Sequence, residues 1–107
     1  MRILICDDDP LIIEQLQKFI ESFFKSNHIK CPELVSFTSG ESLLADSEEK
    51  DLVFLDIEMP GMNGIYIGNE LKKANKNVII FVVTSYSEYL DDAMRFHVFR
   101  YLSKPLD

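Results

Sequence analysis

The chain has 107 residues, 47% of them hydrophobic and 27% charged, with a formal net charge of −7. That length makes one domain able to bury a real core, and the composition is that of an ordinary soluble globular protein. The acidic balance excludes nucleic acid as a direct ligand, because phosphate backbones are held by clustered Lys and Arg, and no apolar run approaches a membrane span.

The same acidity suits a site that draws a divalent cation, and equally a plain solubilising surface at Glu48, Glu49, Asp91 and Asp92. Met1-Arg2-Ile3 leads straight into a strand pattern rather than a signal peptide, which places the chain in the cytoplasm. Cys6 ends the first strand and Cys31 precedes the second. In adjacent parallel strands their thiols stand ~13 Å or more apart at ~3.3 Å per residue. A disulfide needs Cα atoms within about 7 Å, so both read as reduced thiols.

Strand one runs from Arg2 to Cys6 through Ile3, Leu4 and Ile5, and breaks at Asp7-Asp8-Asp9-Pro10. Asp9 before Pro10 is a helix start, with Asp9 as N-cap and proline at the first helical position. The helix to about Lys25 carries an apolar stripe of Ile12, Leu16, Phe19, Ile20 and Phe23. Cys31-Pro32 opens strand two, with Leu34, Val35 and Phe37. Thr38 facing Glu41 fits a capping box for a short helix carrying Leu43 and Leu44.

Asp51 to Gly64 reads D-L-V-F-L-D-I-E-M-P-G-M-N-G. Leu52 to Leu55 form a short buried strand that stops on Asp56, and Pro60, Gly61 and Gly64 mark the loop beyond it. Asn63 can cap a third helix with Ile65, Ile67 and Leu71, slightly weakened by Gly68. Val78 to Val83 is the most continuous β-forming run and ends at Thr84-Ser85. Ser85 and Glu88 fit a capping box for a fourth helix through Tyr89, Leu90, Ala93 and Met94. Strand five spans Val98 to Leu102, followed by Ser103-Lys104-Pro105.

Strands alternate with helices over short connections, which predicts an α/β fold with a parallel sheet, doubly wound with helices on both faces. The carboxyl ends of parallel strands share one edge, where such sheets hold ligands. Strand one delivers Asp7 and Asp8 there, strand three Asp56, strand four Thr84 and strand five Lys104. Three carboxylates in one hollow repel by several kcal/mol per pair at an effective dielectric of ~20, so the cluster needs a cation or a proton. Hard oxygen ligands with positions left for water suit Mg²⁺. An anion with several oxygens would be neutralised between Mg²⁺, Lys104 and Thr84, which is the equipment of phosphoryl transfer.

The segments I-L-I-C-D-D-D-P, F-L-D-I-E-M-P-G-M-N-G, V-V-T-S and Y-L-S-K-P resemble the receiver domain of two-component response regulators, in order and over essentially the whole chain. The resemblance implies a flavodoxin-like sheet of order 2-1-3-4-5 and phosphorylation of Asp56 by a histidine kinase. It implies that Asp8, Asp56 and the Glu58 carbonyl ligate Mg²⁺, with Asp7 assisting through water. Thr84 and Lys104 would hold the phosphoryl oxygens, and Tyr101 would be the aromatic switch, reporting through helix four and strand five. D-I-E-M-P-G-M-N-G, T-S-Y-S-E-Y-L and F-R-Y-L-S-K-P are similar to receivers joined to LytTR-type DNA-binding domains, so the intact protein would regulate transcription through an output domain absent from residues 1–107. The family's fifth helix is lacking after Lys104-Pro105: either the chain is trimmed there or the exposed apolar face finds another partner, and a homodimer over the surface that helix would cover is the expectation.

Plainer roles stand beside these. Asp9 is a helix cap; Tyr101 also reads as core aromatic packing; His28 and His97 read as surface residues. The Glu58 side chain and Tyr86 are candidates for tuning hydrolysis of a phosphorylated Asp56. A haloacid-dehalogenase-type phosphohydrolase would place its second acid at Glu58, but leaves Asp7-Asp8 unexplained and has no room for a cap domain. A flavin carrier would need a hydroxyl- and glycine-rich loop where three aspartates stand. A phosphate-independent receiver would not keep the full acid, threonine and lysine set.

Overall fold

Alternation along the first strand decides the layering. β1 (Arg2–Cys6) sends Ile3 and Ile5 into one buried cluster and Leu4 and Cys6 into another, as a side-chain period of two requires. In the computed structural model residues 1–59, 62–84 and 98–104 are described, without the side chains of residues 58, 62, 98–101 and 103. After β1 come α1 (Pro10–Ser26), β2 (Glu33–Phe37), α2 (Gly40–Ala45) and β3 (Leu52–Leu55). Then follow the short strands β4 (Glu58–Met59) and β5 (Met62–Asn63), α3 (Gly64–Ala74), β6 (Ile79–Thr84) and β7 (Val98–Ser103).

The five longer strands form one sheet of order β2-β1-β3-β6-β7, parallel at every pairing. This is the predicted 2-1-3-4-5 order. α1 buries Ile12, Ile13, Leu16 and Ile20 against the Ile3/Ile5 face. α2 and α3 cover the opposite face with Leu43, Ile67 and Leu71. Helices therefore lie on both sides, because both faces of these strands are apolar.

The caps follow the local chemistry. Asp9 is extended and its carboxylate accepts from the Leu11 amide at 3.0 Å, ahead of Pro10 in the first turn. Asn63 Oδ1 accepts from the amides of Ile65 and Tyr66 at 2.9 and 3.3 Å. At α2 the expected Thr38–Glu41 box is not what forms. Ser39 is the N-cap, and its Oγ accepts from the Ser42 amide at 3.2 Å. Two hydroxyl residues stand in a row there, and the backbone turns one residue later than the spacing to Glu41 predicts.

The α1 stripe also needs correction. Ile13 is buried and Phe24 packs beside it, whereas Phe19 and Phe23 are each 60% exposed. At 3.6 residues per turn Phe19 and Phe23 lie on one flank of the stripe, and the helix rolls to point Ile13, Leu16 and Ile20 at the sheet. Past its end His28 takes φ 56°, the left-handed region, with its amide on Lys25 O and the Ile29 amide on Phe24 O at 3.1 and 3.0 Å. That is a Schellman closure with histidine where glycine is usual. His28 is exposed, as predicted.

Cys6 and Cys31 are both free thiols. Among the described residues no helix is long and apolar enough to cross a membrane. The predicted fourth helix, with its Ser85–Glu88 box and Tyr86, lies outside the described residues, as does everything after Lys104.

Candidate functional site

The ladder hydrogen bonds run one residue past the strands and place the polar tips. The Asp7 amide donates to Phe37 O at 3.1 Å, the Asp56 amide to Cys6 O at 3.0 Å, and the Lys104 amide to Thr84 O at 3.1 Å. Each bond ties a tip to the neighbouring strand, so the side chains of Asp7, Asp56, Thr84 and Lys104 are set by the sheet and not by loose loops.

Asp7, Asp56 and Thr84 are buried, at 1%, 2% and 0% exposure, and Asp8 beside them is exposed. Asp7, Asp8 and Asp56 each offer an oxygen within 4.8 Å of the others. Lys104 Nζ stands 2.9 Å from Asp7 Oδ2 and 2.9 Å from Asp56 Oδ2, donating a hydrogen bond to the latter. The side chains predicted from the ends of strands one, three and five therefore meet, and Thr84 adjoins them through its carbonyl, which accepts from the Lys104 amide. Asp7 Oδ1 accepts from the Asp9 amide at 2.9 Å, but its buried Oδ2 accepts no well-directed hydrogen bond among the described residues despite facing the ammonium.

Burial pushes the Asp7 carboxyl above its ordinary value, the Lys104 contact and the Asp9 amide pulling only partly the other way. For Lys104, burial lowers the pKa but the close carboxylates of Asp7 and Asp56 more than reverse this, so the ammonium is held charged. The two directions agree once burial is counted: the anion is short of partners and the cation has an excess of them. Three ionised carboxylates against one ammonium leave two negative charges, the deficit a divalent cation would fill. The buried Asp7 Oδ2, which shares the one Lys104 ammonium with Asp56, and the all-oxygen donor set fit Mg²⁺ or a similar hard ion.

Cys6 lies under the site with its Sγ 3.6 Å from Ser39 O. Burial first, then the three aspartates, push its thiol up to about 12. Such a thiol is inert. Glu58 and Tyr101 are placed by backbone alone: Glu58 pairs with Asn63 in the short hairpin, and Tyr101 pairs with Val82 across β6 and β7. Their side chains lie outside the described residues. A concavity lined by Asp46, Glu49, Glu70 and Asn75 lies away from this cluster and contains none of its residues.

Sequence reasoning took Gly64 only as a loop marker. A Cβ there would lie 2.2 Å from Ile57 Cα, next to Asp56, which makes this glycine part of the site's support. The signal available was its position directly after the Asn63 cap, where a helix start tolerates most residues and glycine is not demanded by conformation.

The family model for the response regulator receiver domain matches residues 3–107. The chain belongs to that family. Among similar curated proteins, the sensory transduction protein LytT of Oceanobacillus iheyensis is 32% identical over 98% of this chain and 42% of its own length. The transcriptional regulatory protein BtsR of Escherichia coli is 32% identical over 100% of this chain and 43% of its own. This receiver domain thus spans less than half the length of those relatives. Response regulator TrrA of Thermotoga maritima, solved in complex with Mg²⁺ and BeF, superposes with a TM-score of 0.82 at 33% identity, covering 99% of this chain and 88% of that one. The chain is thus a receiver domain of two-component response regulators, a signalling module with the flavodoxin-like fold, similar to those of LytTR-type transcriptional regulators.

Proposed function

We propose that this receiver domain accepts a phosphoryl group on Asp56 from a histidine kinase, with Mg²⁺ bound by Asp8, Asp56 and the Glu58 carbonyl, and by Asp7 through water. The observation that carries the reading is the buried Asp56 carboxylate held 2.9 Å from Lys104 beside two further acids. An Asp56 oxygen attacks phosphorus in line as the bond to the donor nitrogen breaks, leaving an acyl phosphate. The bound metal supplies charge neutralisation at the transferring phosphoryl oxygens. Lys104, tethered to β7, turns from the esterified carboxylate to a phosphoryl oxygen, and Thr84 offers its hydroxyl to another. Drawing Thr84 inward opens space for Tyr101, which biases an existing two-state equilibrium at the surface beyond β6 and β7.

The intact protein on this reading is cytoplasmic and carries a DNA-binding output domain beyond residue 107, so that phosphorylation regulates transcription. The receiver itself touches no nucleic acid. The test is incubation with Mg²⁺ and a small acyl-phosphate donor, followed by intact-mass measurement. A gain of one phosphoryl group that is absent in Asp56→Asn is the expected result. Release of many phosphates per chain with no retained label points instead to a phosphohydrolase and overturns the assignment.

A further inference from the structure

The segment between β3 and α3 closes on itself. Glu58 pairs with Asn63 and Met59 with Met62, antiparallel, and just outside these pairs Ile57 meets Gly64. A Cβ on residue 64 would lie 2.2 Å from Ile57 Cα, 2.7 Å from Ile57 Cβ and 2.9 Å from the Ile57 carbonyl carbon. Two of these atoms are backbone, so no rotamer change clears them, and ordinary contact at about 3.5–4.0 Å requires the chain to move. Neither side can yield readily. Ile57 is 4% exposed within the cluster of Leu55, Ile67 and Leu71, and the start of α3 is anchored by the Asn63 cap and by buried Ile67.

Ile57 is the single residue between Asp56 and Glu58. We propose that Gly64 is a positioning residue: its missing side chain lets the first turn of α3 rest on the Ile57 backbone, which fixes the peptide joining the Asp56 carboxylate to the Glu58 carbonyl. The inference rests on the reading above, in which those two groups flank a metal ion. It adds that occupancy of the metal is mechanically coupled to the start of α3, a helix that contributes no ligand. A side chain at 64 shifts the Ile57 backbone and spoils the geometry of both groups at once. Support of this kind around a metal is worth roughly tenfold or more in affinity.

The test titrates Mg²⁺ into the wild-type chain, Gly64→Ala and Asn75→Ala by calorimetry, with circular dichroism and thermal melts in parallel. Gly64→Ala is expected to bind Mg²⁺ roughly tenfold more weakly while keeping its helical signal. Asn75→Ala loosens the opposite end of the same helix, losing the bonds to Lys50 O and from the Asn77 amide, so its melting temperature falls and its affinity stays within about twofold of wild type. Wild-type affinity in Gly64→Ala, or equal weakening in both variants, overturns the proposal. Should Gly64→Ala not fold, amide spectra of the wild-type chain decide. Gly64 and Ile65 resonances must move with the same midpoint as Ile57, and stationary resonances overturn the coupling. A wild-type chain that binds no Mg²⁺ refutes the underlying reading as well, which separates the two failures.

Discussion

Replacing Lys104 by methionine keeps the stem of the side chain and removes the ammonium that bridges Asp7 Oδ2 and Asp56 Oδ2, each at 2.9 Å. Both carboxylates are 2% exposed in their side chains, so water cannot replace the lost partner. Two ionised oxygens within 4.8 Å of each other repel by at least about 3.5 kcal/mol at an effective dielectric of about 20. Stranding buried charge in this way destabilises by about 3 kcal/mol, the lower end for a broken buried pair because Asp8 is exposed. Urea unfolding in chelator at neutral pH should show that loss in Lys104→Met. Mg²⁺ should return part of it, since the variant site holds three negative charges instead of two and binds the ion more tightly. Each tenfold gain in affinity adds about 1.4 kcal/mol in excess ligand.

The pH dependence follows from Asp7. Burial raises its folded pKa above the unfolded value, so the folded state binds more protons; stability is full below the unfolded pKa and falls as pH rises through the folded one. Removing Lys104 deletes the larger of the two contacts that hold this rise in check, leaving the Asp9 amide, and extends the loss to higher pH. The deficit of Lys104→Met relative to wild type should therefore shrink on acidification towards the ordinary Asp value of about 3.9. Equal stability of the two proteins in chelator at neutral pH would refute the reasoning, because it would mean that the buried acids do not depend on Lys104.

Three further outcomes are expected. Arg2→Met should lose about 2 kcal/mol in denaturant unfolding with Mg²⁺ affinity unchanged, since the guanidinium, 12% exposed, holds Asp46 at 3.0 Å and Glu49 O at 2.8 Å far from the acids. His28→Gly should gain about 0.5–1 kcal/mol by relieving the left-handed residue that closes α1, read as a higher melting temperature. Alkylation at mildly alkaline pH should label Cys31 and spare Cys6, whose thiol is buried and pushed up to about 12; labelling of both in the folded chain would contradict that environment.

The strands and the acid set were legible because they depend on short-range pattern. An apolar run that stops on an acid places that acid at a strand end, and parallel topology then brings the ends together without further information. Asp9 and Asn63 were readable as caps for the same reason, each accepting from amides within three residues. The failures involve what lies across the fold. The stripe on α1 was right in period and wrong in roll, because which flank of Phe19, Phe23, Ile13 and Phe24 faces inward depends on where β1 and β2 meet the helix. The hairpin of β4 and β5 was not foreseen, since two-residue strands carry no period. Gly64 escaped notice because its neighbour Ile57 lies seven positions away and is brought near only by that hairpin.

The two edges of the sheet handle charge in opposite ways. At the amino edge Arg2 and Lys50 meet Asp46 at 3.0 and 3.1 Å, Lys50 also donates to the carbonyls of Asp46 and Glu48, and the Arg2 amide donates to Asp51. The acids there have partners supplied by the chain, and hydrogen bonds to Arg2 hold the Asp46 carboxyl below the usual range. At the carboxyl edge the same sheet buries Asp7 and Asp56 with one shared lysine and leaves Asp7 above its ordinary value. A second cation from the chain would have made that edge more stable at little structural expense. Its absence among the described residues leaves a net of two negative charges over Asp7, Asp8 and Asp56, with Asp8 open to solvent. An ion arriving from outside therefore meets a site whose repulsion is already built into the fold, and the binding free energy includes relief of that strain. This is why the stability of the chain in chelator and its affinity for Mg²⁺ should move in opposite directions when Lys104 is removed, a pairing that a purely structural lysine would not produce.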